Sequence, residues 1–397
     1  MSAMKNVPQL RFGEFSGEWE EKKIGQIGTF FSGGTPTSSN KEYYNGSIPF
    51  IGSGKINSKE VAQYITQEAL ENSSAKIVEV DDLLYALYGA TSGAVALSKI
   101  NGAINQAVLC IRTDMNKVFL MTWLQKNKNR ILETYLQGGQ GNLSAQIVKS
   151  LKLHLPSKQE QEKIASFLSS VDTKIEQLTS KTKLLQEYKK GVMQKIFSQE
   201  IRFRDDDGSD YCEWVERKLK DVGNIIGGGT PETNKTEYWG GTIQWFTPTE
   251  IKTKYIKSSK RTITELGLKK SSAKILPKGT LLLSSRATIG DISISLQECS
   301  TNQGFQSIVV NENNNNEFIY YWILKNKKIL LRRSSGSTFL EISKHEISKI
   351  NINLPFLKEQ TKIASFLSSI DSKIEQAQKQ LDSTKEFKKA LLQQMFV

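Results

Sequence analysis

The chain has 397 residues, enough for two or three domains that each bury a core, and it has no run of eighteen apolar residues that would predict a membrane-spanning helix. Its 54 basic and 41 acidic side chains give a formal net charge of +13, spread over every segment, which indicates a polyanionic partner and excludes a basic tail. Three widely spaced cysteines and two histidines at non-equivalent positions predict neither a disulfide framework nor a metal site, and the first thirteen residues lack a signal-peptide core, so we expect a cytoplasmic protein with no membrane partner.

Each half of the chain opens with the same series of motifs. Leu10-Arg11-Phe12 leads to Glu18-Trp19, and Ile201-Arg202-Phe203 leads to Glu213-Trp214. A Gly-Gly-Thr-Pro motif follows in both halves, at 33–36 and 228–231. We expect a tight turn there, in which the glycines permit positive φ angles and the proline ends any helix. Neither this motif nor the glycine pair at 52 and 54 has the spacing of a P-loop, so no nucleotide-hydrolysis site is predicted.

Two apolar runs in the middle of each half predict strands, at 83–88 and 94–97 and again at 281–285 and 292–296. Short loops of small, hydroxyl and glycine residues join them, Ala90–Gly93 in the first half and Ala287–Gly290 in the second. Such residues can approach a nucleic-acid backbone or a base edge closely. A purely structural role in a hairpin is the alternative.

A helix and a polar loop follow the strands in each half. The aromatic residues of the helix, Phe119 and Trp123 and their counterparts Phe318 and Trp322, have helical spacing and are predicted to be core residues. The loops at 137–144 and 333–339 are rich in amide, hydroxyl or arginine side chains, which suit contacts to phosphates and base edges. A solvated connection is again the alternative.

The most regular repeat is a long helical stretch, Gln161–Phe197 and Gln360–Phe396, whose two copies lie 199 positions apart. Apolar residues at heptad spacing form a seam in each copy, and at about 1.5 Å per residue each helix is a rod of roughly 60 Å. The seam consists of Ile164, Leu168, Val171, Ile175, Leu178 and Leu185 in the first copy and of Ile363, Leu367, Ile370, Ile374 and Leu381 in the second. Thr182 and Lys189 interrupt the first seam and weaken its C-terminal half. We expect the two helices to pack as an antiparallel coiled coil; the alternative is that each helix caps its own domain.

These repeats predict an α+β fold with two pseudo-symmetric domains and two long helices. The predicted division is a first domain at 1–156, a helix at 157–197, a linker at 198–213, a second domain at 214–355 and a second helix at 356–397. The acidic run Asp205–Asp210 in the linker is predicted to be a solvated turn.

Two such domains, each followed by a near-identical helix, resemble the specificity subunit of type I restriction-modification systems. The duplicated Leu-Pro-x-x-x-(Gln/Lys)-Glu-Gln-x-Lys-Ile-Ala-Ser-Phe-Leu and Trp…Gly-Gly-Thr-Pro motifs carry the resemblance over essentially the whole chain. It implies two target-recognition domains that each read one half of a split DNA sequence containing an adenine for methylation. It also implies that the paired helices act as a spacer and dock methyltransferase subunits, two by expectation, in a complex that includes restriction/translocase subunits.

Catalysis is expected on those partners. The chain has no adjacent prolines, so it lacks the Asn/Asp-Pro-Pro-aromatic loop with which an amino-methyltransferase holds its target base. We therefore predict no catalytic residue and no cofactor bound by this chain; the resemblance implies S-adenosylmethionine, ATP and Mg²⁺ on the partner subunits.

Residues of the two loop regions are the predicted contacts to double-stranded DNA, with Arg286 as the first choice for a guanine or phosphate contact. The full set is Tyr88, Thr91, Ser92, Gln137, Gln140, Asn142, Ser284, Ser285, Arg286, Thr288, Arg332, Arg333 and Ser335. Two other functions stay open at this point: a coiled-coil adaptor that binds proteins, and the specificity subunit of a type IIB-like system. A methyltransferase or nuclease that acts alone is a poorer third reading.

Overall fold

The computed structural model describes residues 6–136, 142–336 and 340–397. The chain divides into two compact units. Unit 1 comprises Met1–Thr179 and Lys379–Val397, and unit 2 comprises Ser180–Gln378. Each unit therefore contains one mixed α/β domain, the first part of the long helix that follows it in sequence, and the last part of the other long helix.

Unit 1 contains two four-stranded sheets and a two-stranded ribbon. Its strands are β1 Glu20–Lys23, β2 Gly28–Ser32, β3 Ile48–Ile51, β4 Tyr64–Ile65, β5 Lys76–Val78, β6 Leu83–Ala86, β7 Val95–Leu97, β8 Gly102–Ile104, β9 Val108–Thr113 and β10 Lys152–Leu155. Its helices are α1 Gln67–Glu71, α2 Lys117–Leu136 and α3 Ala145–Ser150. The first sheet is antiparallel with the order β2-β9-β6-β7, the second has the order β4-β3-β8-β5 with β3 and β8 parallel, and β1 pairs with β10.

Strand β6 shows why an unbroken apolar run forms a strand here. Successive side chains point to opposite faces of a sheet, and both faces of β6 are covered. Leu83 and Tyr85 pack into a core cluster that includes Phe119 of α2, while Leu84 and Ala86 pack into a second cluster. The predicted core position of Phe119 and Trp123 is confirmed, and so is that of Phe318 and Trp322 in unit 2.

Unit 2 repeats this plan with five strands in its main sheet and three in its second sheet. Its strands are β11 Val215–Lys218, β12 Gly223–Gly227, β13 Trp239–Phe246, β14 Tyr255–Ile256, β15 Arg261–Ile263, β16 Leu281–Leu283, β17 Ile292–Ser295, β18 Cys299–Thr301, β19 Gln306–Val310 and β20 Asn351–Leu354. The helices between the two long ones are α5 Leu219–Val222, α6 Glu265–Lys269, α7 Asn316–Lys325, α8 Lys327–Arg332 and α9 Lys344–Ser348. The main sheet has the order β12-β19-β16-β17-β14, the second β15-β13-β18, and β11 pairs with β20. Among the described residues of unit 1, no strand pairs with the free side of β7, the place that β14 occupies beside β17.

The long helices are α4 Lys158–Phe197, preceded by Pro156, and α10 Leu357–Gln394, preceded by Pro355. In each unit the start of one long helix lies beside the end of the other, which is the predicted antiparallel pairing. In unit 1, Ile164 and Leu168 share a core cluster with Leu391 and Met395; in unit 2, Ile363 and Leu367 share one with Ile196. The same clusters include residues of the neighbouring domain, so each helix also covers its own domain, and both expectations for the helices hold within the units.

The seam residues are buried or half-buried as predicted. Buried seam residues are Ile164, Leu168, Val171, Leu178, Ile363, Leu367, Ile370 and Leu381, and half-buried ones are Ile175, Leu185 and Ile374. The interpretation of the seam lysines as weak points was wrong. Lys388 Nζ lies 2.5 Å from Asp172 Oδ1 in unit 1, and Lys189 Nζ lies 2.5 Å from Asp371 Oδ1 in unit 2. The lysines are thus interhelical ion-pair partners at equivalent positions.

The repeated opening motifs attach each domain to its long helix. Glu160 of α4 is buried, and its carboxylate accepts hydrogen bonds from Arg11 Nε (2.8 Å) and Nη2 (2.7 Å) and from Trp19 Nε1 (3.3 Å). In unit 2, Glu359 accepts from Arg202 Nη2 (3.0 Å) and Trp214 Nε1 (3.2 Å). A buried carboxylate requires such partners. The Arg, Trp and Glu of these motifs are therefore structural.

No helix within the described residues is both long and apolar enough to cross a membrane.

Candidate nucleic-acid interface

Three loops of unit 1 meet at the end of β6. Leu87, the residue after β6, donates its backbone N–H to Ala107 O (2.8 Å), and its carbonyl accepts from Leu143 N (2.9 Å). These bonds join the loop before β9 and the segment before α3 to the loop between β6 and β7. The polar loops that the sequence indicated separately therefore form one surface, which we call reading surface 1: 87–93, 105–107 and 142–144.

Unit 2 builds the same framework from different residues. Ser285 N donates to Gly304 O (2.8 Å), and Ser285 O accepts from Ile342 N (3.0 Å). Reading surface 2 thus comprises 285–290, 302–304, 333–336 and 340–342. Because main-chain groups make these bonds, the side chains at equivalent positions can differ without loss of the framework.

The Gly-Gly-Thr-Pro motif of each unit forms a hydrogen bond with one loop of its reading surface. Thr35 Oγ1 donates to Gln106 Oε1 at 2.5 Å, and Thr230 makes the equivalent bond to Gln303. The positive φ angles that these glycines permit are not used, since none of the four adopts one. A Cβ at Gly33 would lie 1.7 Å from Ile104 O, and one at Gly228 would lie 2.0 Å from Asn302 O. Glycine is required because two backbones pack against each other there.

The predicted DNA contacts of unit 1 lie on reading surface 1 where the structure describes them. Tyr88 and Thr91 are half-buried and Asn142 is exposed. Ser92 is half-buried, and its Oγ donates to Leu87 O (3.0 Å), which directs the hydroxyl to the loop itself. Gln137 and Gln140 lie outside the described residues.

In unit 2 two of the predicted contacts are inaccessible. Ser284 and Ser285 are fully buried. Ser284 Oγ donates to Arg286 O (2.9 Å) and accepts from Thr288 Oγ1 (3.1 Å), which keeps the hydroxyl of Thr288 within the loop as well. The backbone after β16 directs the side chains of both serines into the protein interior. Their assignment as DNA contacts is therefore abandoned.

Arg286 is the most prominent basic residue of reading surface 2. Its side chain is 45% exposed, and its Nε lies 2.8 Å from Glu341 Oε2. Glu341 is itself fixed by two backbone hydrogen bonds to Ser335, an exposed residue. A guanidinium has five N–H donors, so the pair with Glu341 orients Arg286 and leaves its terminal nitrogens for a ligand.

Arg332 and Arg333 lie nearby at the end of α8, and both are exposed. Arg333 Nη1 pairs with Glu346 Oε2 at 3.2 Å. Burial would raise the pKa of Glu346, but hydrogen bonds from Arg333 and Lys349 outweigh that effect and hold its pKa below the usual value.

The backbone beside Arg286 is unusually tight. Ala287 has φ +54°, and Thr288 N donates to Arg286 O at 2.5 Å across it. Residues other than glycine rarely adopt this left-handed region. The equivalent loop of unit 1 is one residue longer and has Gly89 and Gly93 at positive φ. Sequence reasoning did not find the roles of Ala287 and Glu341, because neither residue type carries a signal for them.

The comparison with known protein families shows which family this chain belongs to. Residues 16–186 and 211–383 each match the family described as type I restriction modification DNA specificity domain. The chain belongs to this family. Each matched range contains one framework of loops and the first part of one long helix, so the two matches coincide with the internal repeat of this chain.

Several similar proteins are named as specificity subunits of type I restriction systems. The specificity subunit of the type I restriction enzyme MjaIX from Methanocaldococcus jannaschii is 38% identical over 207 residues, which cover 51% of this chain and 48% of that protein, so this match spans about half of the relative's length. The putative MjaX specificity subunit of the same organism is 24% identical and matches 98% of this chain and 95% of its own length. The S subunit of a type I restriction-modification system from M. genitalium has the same fold, with a TM-score of 0.64 at 18% identity over 98% of this chain and 99% of that one.

Proposed function

We propose that this specificity subunit reads a bipartite DNA target, one half-site with each unit, for a type I restriction-modification complex. The observation that carries the proposal is the repeated backbone framework with different side chains. Tyr88 follows Leu87 in unit 1 where Arg286 follows Ser285 in unit 2. An arginine can donate two hydrogen bonds to guanine O6 and N7, which a tyrosine cannot do. Two surfaces of this kind would therefore select different half-sites.

Lysines beside both surfaces support contact with the DNA backbone. A side chain at Gly93 would lie 3.2 Å from Lys128 Cγ, and one at Gly290 would lie 2.6 Å from Lys327 Cγ, so each lysine borders the loop of its unit at an equivalent position. Contacts to phosphates position a protein on the duplex, and contacts to bases supply sequence selection. In this proposal the lysines serve the first purpose and the loop residues the second.

The long helices carry matched exposed aromatic residues that suit the docking of two methyltransferase subunits. Phe387 of unit 1 is 52% exposed, and Tyr188 of unit 2, which precedes it by 199 positions, is 53% exposed. Aromatic side chains are enriched in the cores of protein–protein interfaces relative to the rest of the surface. One equivalent site in each unit gives two docking sites per chain, and the paired helices then set the spacing of the half-sites.

Catalysis belongs to the other subunits in this proposal. The methyltransferase subunits would bind S-adenosylmethionine, and the restriction/translocase subunits would use ATP and Mg²⁺. No group of three or more His, Cys, Asp or Glu side chains suited to a metal ion occurs among the described residues.

The test is co-expression of this chain with the methyltransferase subunit encoded beside it, followed by mapping of methylated adenines by long-read sequencing. We expect one bipartite motif that is absent when this chain is omitted. Arg286→Ala should relax or change one half-site and leave the other unchanged, at about 1–3 kcal/mol of lost discrimination. Arg217→Ala is the matched control, because Arg217 is an exposed arginine of β11 in the same unit.

A complex that forms but methylates no motif would favour the adaptor function over DNA recognition. Salt-dependent binding to duplex DNA separates the two readings further, since release of counterions from phosphates makes DNA binding weaken steeply with salt. Phe387→Ala and Tyr188→Ala should each reduce the number of bound methyltransferase subunits by one, measured by native mass spectrometry.

A further inference from the structure

The sheet edge formed by β7 in unit 1 lacks the strand that covers the equivalent edge in unit 2. In unit 2, β14 runs parallel to β17: Ile294 N donates to Lys254 O (2.7 Å), and Leu296 N donates to Ile256 O (2.9 Å). The main sheet of unit 1 ends at β7. The two sheets are otherwise built in the same order, so the difference is local to this edge.

Two backbone N–H groups of β7 point away from the sheet. Ala94 O accepts from Ala86 N, and Ser98 N donates to Asp82 O, so the alternate residues of β7 face β6. In an antiparallel pair the residues between them direct their backbone groups outward. Among the described residues, none accepts a hydrogen bond from Val95 N or Leu97 N. By the register of the two hairpins, Leu97 corresponds to Ile294, whose N–H binds β14 in unit 2, and Val95 corresponds to Ile292.

A cleft of about 480 Å³ runs along this edge. Its walls include Leu97 and Ser98 on one side and Asn57 and Lys59 on the other, with Met121 of α2 among its lining residues. The segment that contains Asn57 occupies the place in sequence that β14 has in unit 2. Within the described residues it forms no strand beside β7, and residues of both segments line the cleft.

The sequence explains why unit 1 does not fill its own edge. The stretch between β3 and β4 is three residues shorter than the stretch between β13 and β15 of unit 2, counted from Phe50 to Ile65 and from Trp245 to Ile263. In unit 2, Lys254 Nζ also anchors β14 through Glu317 (2.9 Å) and Tyr321 (2.9 Å). The counterparts of those two residues in unit 1, 199 positions earlier, are Val118 and Thr122, which offer a lysine no such site.

The charges around the cleft favour an acidic occupant. Lys59 and Lys99 line it and are exposed, and neither forms an ion pair within the described residues. Asp81 is the one acidic side chain in the lining, and its backbone carbonyl accepts from Lys117 Nζ. Met121 and the exposed Val80 add apolar surface. Successive side chains of a strand point in opposite directions. An added strand with alternating apolar and acidic residues could therefore place its apolar side chains on Met121 and Val80 and its acidic side chains near the two lysines.

We propose that an extended acidic segment of the methyltransferase subunit adds to unit 1 as a fifth strand, parallel to β7, and accepts hydrogen bonds from Val95 N and Leu97 N. The choice of the methyltransferase subunit as the partner rests on the proposed function. The open edge of β7 is a feature of the structure and does not depend on that function. This contact is separate from the docking of subunits on the long helices and exists in unit 1 alone, so the two methyltransferase subunits would be bound differently.

The test compares the complete chain alone, with the methyltransferase subunit, and with duplex DNA, by amide hydrogen exchange. We expect the amides of Val95 and Leu97 to exchange quickly in the free chain and to be protected by the methyltransferase subunit. Leu97→Pro removes one outward N–H and leaves the ladder with β6 intact, because proline is tolerated at the open side of an edge strand. Its affinity for the subunit should fall about tenfold, which corresponds to ~1.4 kcal/mol. Leu97→Val keeps the N–H and should bind normally.

Each other outcome overturns the proposal. Protection of β7 by DNA alone would assign the edge to nucleic acid. Binding of the subunit with no protection of β7, and with equal affinity for Leu97→Pro, would remove this contact and leave the proposed function standing. Failure of the subunit to bind the wild-type chain would overturn both proposals. The exchange measurement on the wild-type chain keeps the test valid even if Leu97→Pro folds poorly.

Discussion

Units 1 and 2 share a backbone plan but differ in the polarity of the interior beneath their reading surfaces. At Ala86, Leu87, Ala103, Ile104 and Cys110 of unit 1 the side chains are apolar or a buried thiol. Their counterparts by strand register in unit 2 are Ser284, Ser285, Ser300, Thr301 and Ser307, which are all buried. The same pattern of main-chain hydrogen bonds therefore occurs with apolar side chains in one unit and with buried hydroxyl groups in the other. What is held constant between the units is the backbone contact, and side-chain chemistry varies around it.

The largest effect is expected at the carboxylates that attach each domain to its helix. Glu359→Ala should lower the free energy of unfolding of unit 2 by about 3 kcal/mol, because it leaves the guanidinium of Arg202 without its buried partner. Glu160→Ala should do the same to unit 1 through Arg11. Hydrogen exchange resolved by peptide would show which unit opens. Glu162→Ala, at an exposed position of α4, is the control, and a loss of similar size there would contradict the role of the buried pair.

A smaller effect is expected from proline at the two sheet edges. Leu296→Pro removes the donor to Ile256 O and should destabilise unit 2 by about 1–2 kcal/mol. Leu97→Pro in unit 1 should cost less than about 0.5 kcal/mol, since its N–H has no acceptor there. Urea denaturation of the isolated chain measures both. Equal losses would show that the edges are equivalent in solution.

The interhelical ion pairs should also differ between the units. Asp371 is 26% exposed and binds Lys189 and the hydroxyl of Tyr321 (2.5 Å), whereas Asp172 is 46% exposed and binds Lys388. Burial, and then the bond to Asp371, raise the pKa of Tyr321. We expect Asp371→Ala to cost about 2 kcal/mol and Asp172→Ala to cost under about 1 kcal/mol. The ratio of the two losses in thermal unfolding is the measurement, and a larger loss from Asp172→Ala would reverse the comparison.

The smallest effect, of opposite sign, is expected in the polar interior of unit 2. Ser300 Oγ and Ser307 Oγ are buried and have no hydrogen-bond partner among the described residues. Ser300→Ala should therefore leave stability unchanged or raise it by up to about 1 kcal/mol, whereas the reverse change in unit 1, Ala103→Ser, should lower it by about 1 kcal/mol. Melting temperatures of the two variants give the sign directly. Destabilisation by Ser300→Ala would show that this hydroxyl is satisfied in solution.

The sequence was sufficient for the large features of the fold. Repeated motifs indicated two domains of one plan, and heptad spacing from Ile164 and from Ile363 predicted the paired helices. These signals are readable because a repeat and a period extend over many residues. The polar loops were indicated only as separate segments, and the bonds at Leu87 and Ser285 show that their described parts form one surface in each unit.

Details set by single tertiary contacts were not predictable. Ser284 and Ser285 have the composition of a ligand-binding loop, yet a strand that continues past Leu283 carries them into the core. The glycines of Gly-Gly-Thr-Pro have the composition of a turn, yet they are required by a neighbouring backbone 71 positions away in sequence, at Ile104 for Gly33. The missing counterpart of β14 in unit 1 depends on three residues of loop length. No local pattern reports such contacts.

The composition of unit 1 also has a consequence for biosynthesis. Leu10 N donates to Gln394 O (3.0 Å), and the ring of Phe396 lies 5.1 Å from that of Phe119, so unit 1 joins its first domain to the end of α10, which the ribosome makes after all of unit 2. Unit 2 lies within the single stretch Ser180–Gln378. During synthesis on the ribosome, unit 2 can therefore complete its core first, although its residues emerge later. The nascent first domain must wait for the last turns of α10, and until then the apolar residues that pack against those turns stay uncovered.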